Sequence, residues 1–439
     1  MKREDKTKTK MDSSEGIELK PLCDDAVAKI TSEEVALSKP FNIVNLSVPH
    51  MKHLHIRGYV DFYGGYAEHS RQVLDNLHNT GKYCLKLTPI RTPIDIDPIV
   101  WNRMNQYVHN TAFNIDKSTF MCIGCPGWFR EEFMPKERKA VAWTMIETDR
   151  LQPQMVEWLN NANVVWNPTE VDRNRMKRSG VKSELDVVHL GFDDNKYKTD
   201  VRALDIPQLR NRYVFGVLGS WNTRKGIKEI IHAYVSEFKP SDHVSLFMVC
   251  KYGTRPYEDD KYGREKDDKE SWTIKYEFDQ YLKEVGKTYK EIPHIGLLDI
   301  PVHENILPNI MARFNCLVGF SRGESTWLPG LQGMAMGIPI IQLANEQTNG
   351  FMDYLNDVAF LCEETELYDC DEEDYKGTSE LYEGCKLAKG NIEELAHTMK
   401  RMYNYGDAAK ESHQVLTGLQ KAKDWTWSKT VEQINERLL

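Results

Sequence analysis

From residue 41 the chain alternates unbroken apolar runs with segments of helical period, and it does so twice. FNIVNLSV (41–48), YCLKLTPI, TFMCIG, AVAWTMIE, ANVVWNPT and LDVVHLGFD read as strands. Runs apolar on both faces fit parallel strands covered on both sides. Between them, YGGYAEHSRQVLDNLHN places Val73, Leu74 and Leu77 on one face of a helix behind Gly64 and Gly65. MVEWLNNA and VDRNRMKRSG predict two more helices, the second ending at a glycine. After the charged link DDNKYKTDVRALDIPQLRNR the pattern restarts with the strand YVFGVLGSW (213–221). The helix GIKEIIHAYVSEF, the strand HVSLFMVCKY, a long helix, a strand near HIGLLDI, a helix and the strand CLVGFS follow. NIEELAHTMKRMYNY and the segment ending TWSKTVEQINERLL predict two closing helices, with Trp425 and Trp427 as packing anchors. The fold class is α/β: two Rossmann-like domains with mostly parallel sheets, their strand carboxyl ends and helix N-termini facing a central cleft.

The polar stretches divide the chain further. Residues 1–39, rich in Lys, Asp, Glu, Ser and Thr, read as a disordered tail. An acceptor-side domain is expected over 40–205, a second Rossmann-like domain over 206–406, and helices packing back toward the first over 407–439. The segments 254–271 and 363–384 are highly charged and read as exposed loops.

The charge balance is 57 basic against 66 acidic residues, net −9, which argues against non-specific binding to nucleic acid or anionic membrane. MKREDKTKTK is followed by no apolar signal core, and no run of about 18 apolar residues predicts a transmembrane helix. Nine cysteines without a regular framework favour reduced thiols and a cytoplasmic setting. Cys122 and Cys125 form a CxxC pair with no second pair at zinc-site spacing, so they read as buried cysteines around a strand end.

Two constellations carry chemistry. In GESTWLPGLQGMAMGIPIIQL (323–343), Glu324 sits in a glycine-bounded turn and Gln332 follows eight residues later on a short helix. Pro329 suits the first turn of that helix, and Gly337 and Pro339 end it. A loop, a helix N-terminus and a following strand can receive a phosphate, while Glu324 and Gln332 can each bind hydroxyls. The plainer reading of Glu324 is a carboxylate capping the helix. In GSWNTRKG (219–226), at the end of the first strand of the second domain, Arg224 offers a planar fork and Lys225 a point charge. Taken alone, these are two exposed cations on a βα loop. Together, the constellations suggest a nucleotide-sugar site.

LGSWNTRKG followed by GESTWLPGLQGMAMGIPII resembles the retaining, GT-B-fold glycosyltransferases of family 4. The likeness extends through WTMIETDRLQPQMVEWLNNANVVWNPTEVDRNRMKRSGV, VVHLGFD and the closing helices, covering roughly residues 41–439. It implies that Arg224 and Lys225, in the loop with Gly219 and Asn222, hold the donor diphosphate. Glu324 would contact the transferred sugar and Gln332 the ribose. The backbone around Trp327 and Leu328 would meet the phosphates. Gly64 and Gly65 match the glycine loop that approaches the diphosphate across the cleft. Glu147 would face the reacting sugar, its plainer reading being a structural salt bridge or turn contact. The loop 296–299, with Leu297 and Leu298, would border the base. Two positions depart from the pattern: Gln332 replaces a carboxylate, and Ser220 stands where many members have arginine.

The implied reaction moves a hexosyl group, mannose- or glucose-like, from a GDP- or UDP-linked donor to a hydroxyl of a glycan or glycoconjugate, with retention. No DxD motif ends a strand of the second domain; Asp259-Asp260 and Asp267-Asp268 fall in the charged insertion. No metal or cofactor is therefore expected. The competing readings are a catalytically weak nucleotide-sugar-binding homologue or partner subunit, and a non-hydrolysing sugar-nucleotide epimerase. Peripheral membrane contact remains compatible with the sequence. His50, His53 and His55 read as exposed residues, or else as part of the acceptor pocket.

Overall fold

The computed structural model describes residues 51–60, 64–91, 98–252, 274–299, 302–371, 374 and 382–439. The expected tail, the strand at 41–48, His50, the insertion 254–271 with its aspartate pairs, and most of 372–381 lie outside the described residues.

Two sheets form. The first comprises β1 (Lys52–Gly58), β2 (Tyr83–Pro89), β3 (Thr119–Ile123), β4 (Ala140–Trp143), β5 (Val164–Asn167) and β6 (Glu184–Val187). They lie in the order β2-β1-β3-β4-β5-β6, every pair parallel. All four residues of β4 and of β5 are buried, as strands covered on both faces must be. Trp143 and Trp166 meet edge-to-face there at 5.3 Å.

The second sheet comprises β7 (Tyr213–Trp221), β8 (Val244–Tyr252), β9 (His294–Leu298), β10 (Cys316–Val318), β11 (Ile340–Ala344), β12 (Phe360–Asp369) and β13 (Lys386–Gly390). Its order is β13-β12-β11-β10-β7-β8-β9, and only β12–β13 is antiparallel. In both sheets the first strand lies between neighbours reached in opposite directions. Such a switch point opens a crevice beyond the strand's carboxyl end.

Several expectations are corrected. The acidic stretch that begins at 363 is not a loop from its start: β12 runs to Asp369 and continues the sheet beyond its parallel part. β12 lies between β11 and β13, but from Glu364 onward it pairs with β13 alone and leaves most side chains exposed or half-buried, which tolerates the Glu and Asp that mimic a loop composition. Pro98–Val108 forms a helix that the sequence pattern did not suggest. The chain closes with three helices, Ile392–Tyr405, His413–Lys421 and Trp427–Leu438. His53 and His55 lie on β1 and are half-buried against Phe113, at 5.3 and 6.0 Å. Burial, reinforced by Arg138, Lys86 and Arg57, pushes the His55 imidazole down to about 4.

The last helix crosses back to the first sheet. Tyr83 donates to Asn435 at 2.9 Å, and Arg437 pairs with Asp186 at 3.1 Å. A Cβ on Gly191 would lie 2.4 Å from the Trp427 nitrogen, so only glycine admits this crossing. Trp425 stacks on His189 at 4.1 Å and Trp427 is buried, both as packing anchors. Among the described residues, no helix is long and apolar enough to cross a membrane.

A half-buried ion cluster ties the two sheets' layers together. Glu304, after β9, accepts from Arg71 at 3.5 Å and Arg103 at 3.3 Å and pairs with Lys196 at 3.6 Å. Burial raises the Glu304 carboxyl, but the three cations outweigh it and hold it at about 2. A depressed carboxylate stabilises the fold above its ordinary 4.5, and that contribution is lost as pH falls toward 2. Glu304→Gln should therefore cost roughly 3 kcal/mol at neutral pH. The gap from wild type in urea unfolding should narrow at pH 3. A gap of unchanged size there would show that charge is not its source.

Candidate active site

At the carboxyl end of β7 the chain turns sharply. The Asn222 carboxamide oxygen accepts from the Lys225 N–H at 3.1 Å and caps the single turn Thr223–Lys225. Gly226 then takes φ 65°, where a Cβ would lie 2.1 Å from the Phe320 carbonyl oxygen. This local geometry projects Arg224 and Lys225 from one rigid turn, with the Lys225 stem passing over Gly219 at van der Waals distance.

The opposing wall comes from the loop after β10. A Cβ on Gly323 would lie 2.1 Å from the Glu147 carbonyl oxygen, so the two layers touch here through backbone. The Glu324 N–H donates to Thr348 at 3.0 Å, and its carbonyl accepts from Gly350 at 2.7 Å. Thus fixed, the buried Glu324 carboxylate accepts from Arg224 at 3.1 Å and from the Lys225 ammonium. The Arg224 guanidinium reaches on to Glu147 at 2.8 Å, and Tyr382 donates to the other Glu147 oxygen at 2.6 Å. A single chain of ion pairs, Lys225–Glu324–Arg224–Glu147, closed by the Tyr382 hydroxyl, therefore spans the cleft.

The electrostatics keep Glu324 and Arg224 ionised. Burial works to raise the Glu324 carboxyl, but Lys225 and Arg224 hold it below the usual range. Burial likewise opposes the Arg224 charge, and Glu147 and Glu324 raise its pKa in spite of that. Two cations facing two carboxylates are locally neutral. An entering diphosphate would meet preorganised donors already charged.

The helix Leu328–Ala335 begins four residues after Glu324. The Trp327 N–H donates to the Tyr354 hydroxyl at 3.1 Å, and the indole is buried. Across the cleft, Gly64 is extended (φ −167°) at the start of the helix Gly65–Asn79, and the Cβ direction of Gly65 ends 3.9 Å from Leu328. Gln332 is buried and donates to Glu68 of that same helix at 3.3 Å. Leu298, expected beside the base, is 3% exposed and packs in the core.

The structure therefore brings together Arg224, Lys225, Glu324, Glu147, Asn222 and Gly219 in one cluster, with Gly65, Leu328 and Gln332 in a second contact across the cleft. Sequence reasoning missed Tyr382, Glu68 and the buried pair Asp172–Arg175. Arg175 donates to the carbonyls of Ile146 at 3.1 Å and Thr148 at 2.9 Å, flanking Glu147. It also reaches the carbonyl of Glu324 at 3.4 Å. A capping threonine followed by an Asp-x-x-Arg spacing on a helix was the only local signal for that pair.

The CxxC pair is inert packing. Cys122 donates to the Trp128 carbonyl at 3.8 Å, and burial pushes both the Cys122 and Cys125 thiols up to about 12. Cys84, Cys122, Cys125, Cys250, Cys316, Cys362 and Cys385 carry free thiols. Among the described residues no group of three or more His, Cys, Asp or Glu is arranged to hold a metal ion.

No family model matches the sequence, and no curated protein matches it. Solved structures do share its architecture. HepE of Anabaena, solved in complex with UDP, is 14% identical with a TM-score of 0.57, covering 88% of this chain and 99% of its own. Sucrose-phosphate synthase of Thermosynechococcus elongatus is 11% identical with a TM-score of 0.59, covering 88% and 98%. The E. coli trehalose-6-phosphate structure bound with UDP-2-fluoro glucose is 10% identical with a TM-score of 0.59, covering 88% and 99%. The chain has the GT-B fold: two Rossmann-like layers facing a cleft.

Proposed function

We propose that this chain is a retaining glycosyltransferase that moves a hexosyl group from a UDP- or GDP-linked donor to a hydroxyl of a glycan or glycoconjugate. The observation that carries the reading is the buried Glu324 carboxylate held by Arg224 and Lys225 at the mouth of the Leu328–Ala335 helix. The neighbours solved with UDP and with UDP-2-fluoro glucose support the ligand class.

On this reading the diphosphate takes hydrogen bonds from Arg224 and Lys225, which stabilise the charge that grows on the leaving phosphate. Glu324, relieved of part of its cation contact, accepts from the sugar hydroxyls. The bond from the anomeric carbon to the phosphate oxygen breaks through an oxocarbenium-like state. The acceptor oxygen bonds to the same face, and the departing phosphate takes its proton. Glu147, held by Tyr382, fixes Arg224 and borders the reacting sugar. The two cations offset the diphosphate charge, so turnover in excess EDTA is expected.

Thermal-shift screening of UDP- and GDP-linked glucose and mannose tests the reading. A donor at 100 times its Kd stabilises the fold by about 2.7 kcal/mol, a rise of several degrees. A screen in which no nucleotide sugar moves the melting point sinks the proposal. Ser220 and the Gln332–Glu68 contact favour, as a second reading, a homologue that binds donor without transfer. Calorimetric binding with no product across an acceptor panel would select it. Consumption of donor with no acceptor present would select an epimerase.

A further inference from the structure

We infer that Glu68 is a donor-binding residue: with Gln332 it grips the ribose hydroxyls of the nucleoside diphosphate from the opposite wall of the cleft. The inference rests on the nucleotide-sugar reading above and deepens it.

Two contacts one helical turn apart define the place. A Cβ on Gly65 would stand 3.9 Å from the Leu328 side chain, and Gln332 donates to Glu68 at 3.3 Å. Positions three and four apart lie on one helix face, so the first turn of Gly65–Asn79 lies along the first turn of Leu328–Ala335. This close approach of Gly65 to the Leu328 side chain sits at the two helix N-termini. The carboxylate–amide contact sits one helical turn further along both helices, and this is where the inference sets the ribose.

The chemistry of a vicinal diol needs both groups. Its two hydroxyls must donate two hydrogen bonds, and their oxygens can accept. An ionised carboxylate only accepts, through two oxygens, whereas a carboxamide also donates. Gln332 alone lacks the charge-assisted acceptor, which is about twice as strong as a neutral one. Glu68 supplies it from the other domain, so the carboxylate missing from residue 332 reappears in space.

A purely structural tie between the helices explains the pair less well. The layers are already joined nearby by Glu304 with Arg71, Arg103 and Lys196. Burial, together with Glu304, raises the Glu68 carboxyl to about 7 even against Arg71 and Lys196, so its ionised form is held at a cost. A neutral partner would hold the Gln332 amide at less cost.

Titration calorimetry on the full chain with UDP and GDP, each beside its 2′,3′-dideoxy form, tests the assignment. Wild type should prefer the ribose form of its nucleotide by about tenfold or more. Glu68→Ala should lose that preference, binding the ribose form about tenfold more weakly and the dideoxy form unchanged. Equal weakening of both forms would make Glu68 a structural tie, and unchanged binding of both would remove it from the site; either overturns the inference while leaving the proposed function intact. Wild type that binds neither nucleotide overturns the proposed function and this assignment with it. Should Glu68→Ala not fold, Glu68→Gln carries the same comparison, with a smaller but still ribose-selective loss expected.

Discussion

Lys225→Ala is expected to lower turnover by about 10²–10³-fold and to weaken binding of the nucleoside diphosphate, with the fold retained. Lys225 stands on a one-turn cap set by Asn222 and Gly226, and its backbone bonds do not involve the ammonium. Removing the ammonium takes one preorganised charge from the leaving group and leaves Glu324 to Arg224 alone. Glu324→Gln provides the opposite control. It also should cut turnover, because a neutral amide accepts less strongly from the sugar hydroxyls. Yet it relieves the competition for Arg224 and Lys225, so the diphosphate alone should bind as tightly as to wild type or tighter. Calorimetry with UDP and GDP, beside steady-state rates, separates the two variants. Wild-type turnover in Lys225→Ala would refute the phosphate assignment.

Arg175→Met should cost about 3–5 kcal/mol in urea unfolding, because it strands a buried anion. Asp172 and Arg175 are both fully buried, and burial already raises the Asp172 carboxyl despite its arginine partner. The same guanidinium fixes the carbonyls of residues 146 and 148 on one layer and 324 on the other. Ser325 donates to Asp172, closing the bridge between layers. Turnover of whatever fraction folds should fall too, since Glu147 and Glu324 both lose their backbone support. A variant within about 1 kcal/mol of wild type would mean that water or a neighbour replaces the arginine.

Elements with local causes were legible in the sequence. β7 spans the predicted 213–221, and the glycines expected to end helices at 180 and 337 have φ of 98° and 66°. A buried parallel strand is an apolar run wherever it lies, and a left-handed helix end needs glycine in any fold. The cation pair and Glu324 were legible because each sits on a short turn with its own glycine signature. β12 was not, since its half beyond β11, paired with β13 alone and largely wet, has the composition of a loop. Nor was the burial of Leu298, which depends on which face of β9 the core covers.

The sequence by itself determined the two Rossmann-like layers, the strand ends that carry the site, and the residue types offered there. Hydrophobic period, glycine and proline act within a few residues, so they can be read along a line. Only the tertiary structure decided which side chains meet. Tyr382 reaches Glu147 from 235 positions away, and Gln332 finds Glu68 across 264. No local propensity records such pairings, because they exist only when two independently patterned sheets settle face to face.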